Sequence, residues 1–209
     1  MEKNEQRCSF CGKSKEEVRR LIRGLPDTLV VLDEAYMDFS DQSLLPEFQE
    51  YGNLLILRTC SKAFGMAGLR LGFAVGRKEL VDAVKAVKSP YNVNRLSQAL
   101  GTLVLEHPPL LGEALETILA SKKQLVEGLE ALLKEFPSRF TLLPSATNFA
   151  SLRLPDGEAL RRFLEEQGIS VRYTAGLVRI TCGTPEENRA VLGEMASYFA
   201  AAPAAEEGR

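Results

Sequence analysis

Lys62 lies in the run Thr59-Cys-Ser-Lys-Ala-Phe-Gly-Met-Ala-Gly-Leu-Arg-Leu-Gly72, where an amine, a hydroxyl and a guanidinium follow one another closely. A lysine that forms an imine must have its amine placed against an aldehyde and partly desolvated, so that the neutral form is accessible. A short turn at the end of a strand, facing a cleft, provides that placement. Lys62 follows the apolar Leu54-Leu-Ile-Leu57 and precedes a loop bearing Gly65, Gly68 and Gly72, which allow close backbone approach to a bulky ligand. Ser61 can donate its hydroxyl to a phosphate, and the Arg70 fork suits the same dianion. A second group is Asp33-Glu-Ala-Tyr36, after the apolar Thr28-Leu-Val-Val-Leu32. A carboxylate buried at the carboxyl end of a strand lies where open α/β sheets bind ligands. Asp33 can there pair with a protonated ring nitrogen, and Tyr36 can donate to a ring oxygen. Taken separately, both groups also suit ordinary roles: surface cations on a loop, and a strand-end Asp capping a turn.

The elements that must position these residues follow from periodicity. Ser14-Lys-Glu-Glu17 has capping-box form, and Val18, Leu21 and Ile22 recur at helical spacing up to Gly24. Continuous apolar runs at 28–32, 54–57 and 69–75 suit buried parallel strands. Helices are expected over 77–88, 94–106 and 110–136, the last opened by Pro108-Pro109. Beyond Pro137 the pattern is α+β, with strands near 140–143, 148–154, 169–172 and 177–181 and helices near 156–167 and 185–199. The tail from Ala200 is small and polar and is expected to fray.

With 26 Lys plus Arg against 28 Asp plus Glu, the net charge is −2 and draws the chain toward neither nucleic acid nor an anionic membrane. No apolar run reaches bilayer length, and the opening residues lack signal-peptide form, so the expected location is the cytoplasm. The four cysteines are expected to be free thiols there.

Together, Asp33-x-x-Tyr36, Ser61-Lys62 and Arg70, in this order after apolar strands, resemble the cofactor half-site of class I/II, fold-type I aminotransferases dependent on pyridoxal 5'-phosphate. Val-Leu-Asp-Glu-Ala-Tyr, Thr-Cys-Ser-Lys-Ala-Phe-Gly-Met-Ala-Gly-Leu-Arg and Pro90-Tyr-Asn-Val-Asn94 resemble the histidinol-phosphate branch. The resemblance implies an α/β fold, namely the C-terminal portion of the large domain with a partial, mostly parallel sheet, plus a complete α+β small domain. Its boundaries would be 1–13 a foreign or disordered segment, 14–105 partial large domain, 106–136 interdomain helix, 137–200 small domain and 201–209 tail. It further implies that Lys62 forms the imine and shuttles the proton, with Asp33 at the ring nitrogen and Tyr36 at the ring oxygen. Ser61 and Arg70 would hold the phosphate. Arg179, in Val-Arg-Ile-Thr-Cys-Gly, would clamp the substrate carboxylate or the equivalent end of an amino alcohol. Arg172, in Val-Arg-Tyr, would meet the substrate phosphate, and Asn148 would line the small-domain side. The family's connection between the last two arginine segments is longer than Thr174-Ala-Gly-Leu177.

The implied reaction is amino transfer between histidinol phosphate and 2-oxoglutarate, in histidine biosynthesis, by a homodimer. Several of the family's parts have no counterpart in this chain: the helix start at the phosphate, the aromatic that stacks on the ring, and an Asn-Pro-x-Gly turn. The chain alone is therefore expected to be weakly active or inactive. Arg7-Cys8-Ser-Phe-Cys11-Gly instead resembles the opening of the zinc-binding N-domain of Clp-protease unfoldases, and a join between two sequences is expected here. Cys8 and Cys11 are the candidate metal ligands, but tetrahedral zinc needs four, and neither Cys60 nor Cys182 forms a second knuckle. The competing readings are a non-catalytic remnant and a zinc-dependent interaction module.

Overall fold

The computed structural model describes residues 14–40 and 42–201. Cys8 and Cys11 lie outside them, and with them the zinc knuckle. The chain divides between Glu116 and Thr117 into two compact units.

The first unit opens with helix α1 (Lys15–Gly24). The capping box read from the sequence is formed: Ser14 Oγ accepts from Glu17 N at 3.2 Å, and the Glu17 carboxylate accepts from Ser14 N at 2.7 Å. Strands β1 (Val30–Asp33), β2 (Leu54–Thr59) and β3 (Gly72–Gly76) form a sheet in that order. β1 runs parallel to β2, but β3 runs antiparallel to it, so the sheet is mixed rather than mostly parallel. The chain leaving β2 turns back through the Lys62 loop and re-enters the sheet beside β2 in the opposite sense. Gly72 suits that close return, since a Cβ there would stand 2.8 Å from the Arg58 carbonyl oxygen.

The core of this unit gathers Ile22, Leu44, Tyr51, Leu54 and Ile56. The strands are not covered on both faces, as continuous apolar runs led us to expect, for Val31, Leu57 and Phe73 are exposed. Helices α2 (Lys78–Val87) and α3 (Arg95–Leu105) follow, the latter capped by Asn94, whose side chain accepts from Ser97 N at 2.8 Å.

Helix α4 (Pro108–Glu135) spans the division between the units. The second unit carries β4 (Thr141–Leu143), β5 (Phe149–Arg153), α5 (Gly157–Glu166), β6 (Arg172–Thr174), β7 (Leu177–Thr181) and α6 (Pro185–Ala201). Its sheet is antiparallel throughout, in the order β4-β5-β7-β6. Leu125, Leu129, Leu152, Leu160, Leu164, Val178 and Met195 fill the core between sheet and helices. β6 lies later than the 169–172 expected from apolar content. Ala175 and Gly176 both have positive φ (50° and 74°), forming a two-residue hairpin turn that places Thr174 opposite Leu177. That register leaves 169–171 outside the ladder.

Among the described residues no helix is long and apolar enough to cross a membrane, and no cluster of three or more His, Cys, Asp or Glu could hold a metal. Cys60 and Cys182 are free thiols, as expected, and burial pushes both above the ordinary thiol range.

Candidate active site

β2 ends at Thr59, and the loop that follows is closed by its own backbone. Cys60 N donates to Leu71 O at 3.1 Å, Met66 N to Cys60 O at 2.9 Å, and Gly65 N to Lys62 O at 3.0 Å. Gly65 takes φ +64° to make this turn, whereas a side chain at Gly68 would meet open space. Arg70 itself adopts left-handed backbone (φ 53°), a conformation that costs a non-glycine residue roughly 1–2 kcal/mol and is concentrated at functional sites. The loop is pinned from α3, where Ser97 Oγ donates to Leu69 O at 2.7 Å. Gly101 lets the same helix approach Leu71, whose side chain a Cβ would strike at 2.2 Å.

Asp33, Ser61, Lys62 and Arg70 line one open cavity of about 360 Å³, together with Ala35, Leu57, Arg58 and Thr59. Residues far apart in sequence thus converge because β1 and β2 are parallel neighbours, with Asp33 opposite Leu57, so both strands end at the same edge. Tyr36 stands beside this group, its ring centroid 5.3 Å from Lys62 Nζ.

Two expectations are corrected. Asp33 is exposed, and its Oδ1 accepts from Ala35 N at 2.9 Å; the buried acid is the next residue, Glu34, at 1% exposure. Strand alternation explains this, since residues 30, 32 and 34 point to the core and 31 and 33 to the other face. Lys62, expected to be partly desolvated, is also exposed, although it lines the cavity.

Sequence reasoning missed what holds the Asp33–Tyr36 turn. The Glu34 carboxylate accepts from Ser43 Oγ at 2.6 Å, from Leu44 N at 2.7 Å and from Arg58 Nη1 at 3.0 Å. The other arm of Arg58 pairs with Asp38, whose carboxyl burial pushes up despite that guanidinium. The available signal was an arginine following four apolar residues in a core strand, a placement that demands buried acidic partners.

The second unit holds the other named residues. Arg179, on β7, lays its guanidinium 3.7 Å from the Phe149 ring centroid. Arg172, on β6, is its direct cross-strand partner. Asn148 precedes β5, and its carbonyl accepts from Cys182 N at 3.0 Å.

A lysine thus stands on a glycine-bearing loop, at the carboxyl edge of an α/β sheet and beside a strand-end carboxylate. The family model for aminotransferase class I and II matches residues 13–194, and the chain belongs to that family. Among its relatives, the histidinol-phosphate aminotransferase of Synechococcus sp. (strain JA-2-3B'a(2-13)) is 42% identical over 177 residues, covering 82% of this chain and 48% of the relative. That of Clostridium kluyveri is 35% identical over 190 residues, covering 88% and 52%. The chain therefore spans about half the length of the curated relatives it matches. In fold it is similar to histidinol-phosphate aminotransferase from Sinorhizobium meliloti in complex with pyridoxal-5'-phosphate, with TM-score 0.72 and 22% identity over 87% of this chain and 53% of that one.

Proposed function

We propose that this chain supplies the lysine-bearing part of the site of a pyridoxal-phosphate-dependent aminotransferase, acting on histidinol phosphate with 2-oxoglutarate as amino acceptor. The observation that carries it is the convergence of Lys62, Asp33, Ser61 and Arg70 on one cavity, with Tyr36 alongside. These groups fit the cofactor by donor chemistry: an amine for its aldehyde, a carboxylate for its ring nitrogen, a phenol for its ring oxygen, and a hydroxyl and a guanidinium for its phosphate. Similarity to histidinol-phosphate aminotransferases in sequence supports the substrate reading.

Pyridoxal phosphate, when bound, supplies an aldehyde for amine exchange and a ring that accepts the electron pair released at the substrate carbon. The chain's own residues do the rest. The Asp33 carboxylate, at the strand end, would hold a proton on the ring nitrogen. Tyr36 Oη would donate to the ring oxygen. Ser61 Oγ and the Arg70 fork would hold the phosphate. Lys62 Nζ would take up and give back a proton, acting as base and acid in turn. In the second unit, Arg179 would bind the amino alcohol end of the donor or the carboxylate of the acceptor, Arg172 the donor phosphate, and Asn148 would be a further substrate contact. The working assembly is a homodimer in the cytoplasm.

The test is amino transfer from histidinol phosphate to 2-oxoglutarate, alongside borohydride trapping of pyridoxal phosphate on the protein. For the 209-residue chain we expect Lys62 to be labelled before any other lysine, with low turnover. Labelling spread over the surface lysines would refute the proposal and favour the non-catalytic reading. Robust turnover abolished by Lys62→Ala would show that these contacts suffice alone.

A further inference from the structure

We infer that Arg58 is the positioning residue of this site, clamping the carboxylate side chains on both sides of Tyr36 and thereby setting the phenol relative to Lys62. The inference rests on the function proposed above. Glu34 and Asp38 lie two residues before and two residues after Tyr36, and Arg58 engages both: Nη1 donates to Glu34 Oε2 at 3.0 Å, and Nη2 pairs with Asp38. Arg58 itself is in β2, four residues before Lys62, and lines the same cavity. One guanidinium therefore ties together the turn after Asp33, the segment carrying Tyr36 and the strand that launches the lysine loop.

The chemistry suits a gauge better than a simple brace. A guanidinium is a rigid planar fork, so two carboxylates held by its two arms keep a fixed separation; an ammonium on a flexible stem cannot impose one. Glu34 is buried and its partners are largely shielded, with side-chain exposures of 2% for Glu34, 17% for Arg58 and 14% for Asp38, so water replaces a lost arm only at a cost. Glu34 is held further by Ser43 Oγ, which itself accepts from Arg58 Nη1 at 3.3 Å, and by Leu44 N, whose bond anchors one end of the clamp without Arg58. Loosening the fork should therefore shift the Asp38 side of the turn first, and with it Tyr36.

The test uses the full chain with 3-fluorotyrosine incorporated, the Tyr36 resonance being assigned by its loss in Tyr36→Phe. Arg58→Lys keeps the charge and removes the fork. Arg19→Lys is the control, because Arg19 makes a similar forked pair with Glu47 away from the cavity, Nε to Oε2 at 2.9 Å. We expect Arg58→Lys to move the Tyr36 resonance and to slow attachment of pyridoxal phosphate to Lys62 by at least about tenfold, a loss typical of small misplacements. Arg19→Lys should change neither, although both variants lose stability. An unmoved Tyr36 resonance in Arg58→Lys, or an equal slowing in Arg19→Lys at matched loss of melting temperature, would overturn the inference. Should Arg58→Lys fail to fold, Asp38→Asn opens only one arm and should move the resonance in the same way; no movement there is equally damaging. Indiscriminate labelling in the unsubstituted protein would sink the proposed function, while the fluorine resonance would still decide the clamp.

Discussion

Arg172 and Arg179 stand directly opposite each other on the antiparallel pair β6–β7. Cross-strand partners project to the same face, and like charges so placed repel unless an anion lies between them. The Arg179 guanidinium is held against Phe149, whereas Arg172 is exposed and can swing to a ligand. Histidinol phosphate or inorganic phosphate should therefore raise the melting temperature of the protein. Arg172→Ala should shrink the rise given by histidinol phosphate, the remainder coming from the phosphate site proposed at Ser61 and Arg70. Thermal melts with and without histidinol phosphate check this; a rise unchanged by Arg172→Ala would show that Arg172 does not meet the anion.

Arg179→Lys should leave Lys62 labelling by pyridoxal phosphate unchanged and weaken the amino donor, since the proposed cofactor contacts all come from the other unit. Loss of one charge-assisted bidentate contact corresponds to roughly 1.5–3 kcal/mol, about ten- to a hundredfold in donor affinity. Peptide mass analysis after borohydride, paired with donor titration, separates the two effects. Reduced labelling would contradict the assignment of Arg179 to substrate.

Ala175 takes φ 50° in the hairpin turn between β6 and β7, where a type I′ turn prefers asparagine followed by glycine. Ala175→Asn should stabilise the protein by roughly 0.5–1 kcal/mol by easing left-handed strain. Chemical denaturation gives the value directly; a destabilised variant would mean that the turn is not limited by backbone preference.

Two carboxyls predict opposite responses to acid. Arg19, donating hydrogen bonds, holds Glu47 below its ordinary 4.5, so this stabilisation is present above 4.5 and is lost as pH falls through the folded value. Burial raises Asp38 above its ordinary 3.8, so its contribution is full below 3.8 and is lost as pH rises through the folded value. Melting temperatures followed from pH 7 downward, at about half-unit steps, should fall less steeply in Glu47→Gln than in the unsubstituted chain. Identical acid limbs in the two proteins would remove Glu47 from the account.

What the sequence determined by itself was set over short distances. The capping box at Ser14, the helices over 94–106 and 185–199 and the loop carrying Ser61, Lys62 and Arg70 all rest on patterns a few residues long, and each formed where expected. Periodicity could not decide matters that depend on which segments meet. The antiparallel return of β3 depends on how the Lys62 loop folds back beside β2, and the facing of Arg172 and Arg179 follows from the two-residue turn at Ala175-Gly176. Likewise the apolar run before Asp33 was legible, but not that alternation would bury Glu34 and leave Asp33 at the surface. The partners of Arg58 are 24 and 20 residues away in sequence, and only the pairing of β1 with β2 brings them to it. Local preference chooses elements because its contacts recur every few residues; register and buried charge pairing belong to tertiary structure because their contacts span the fold.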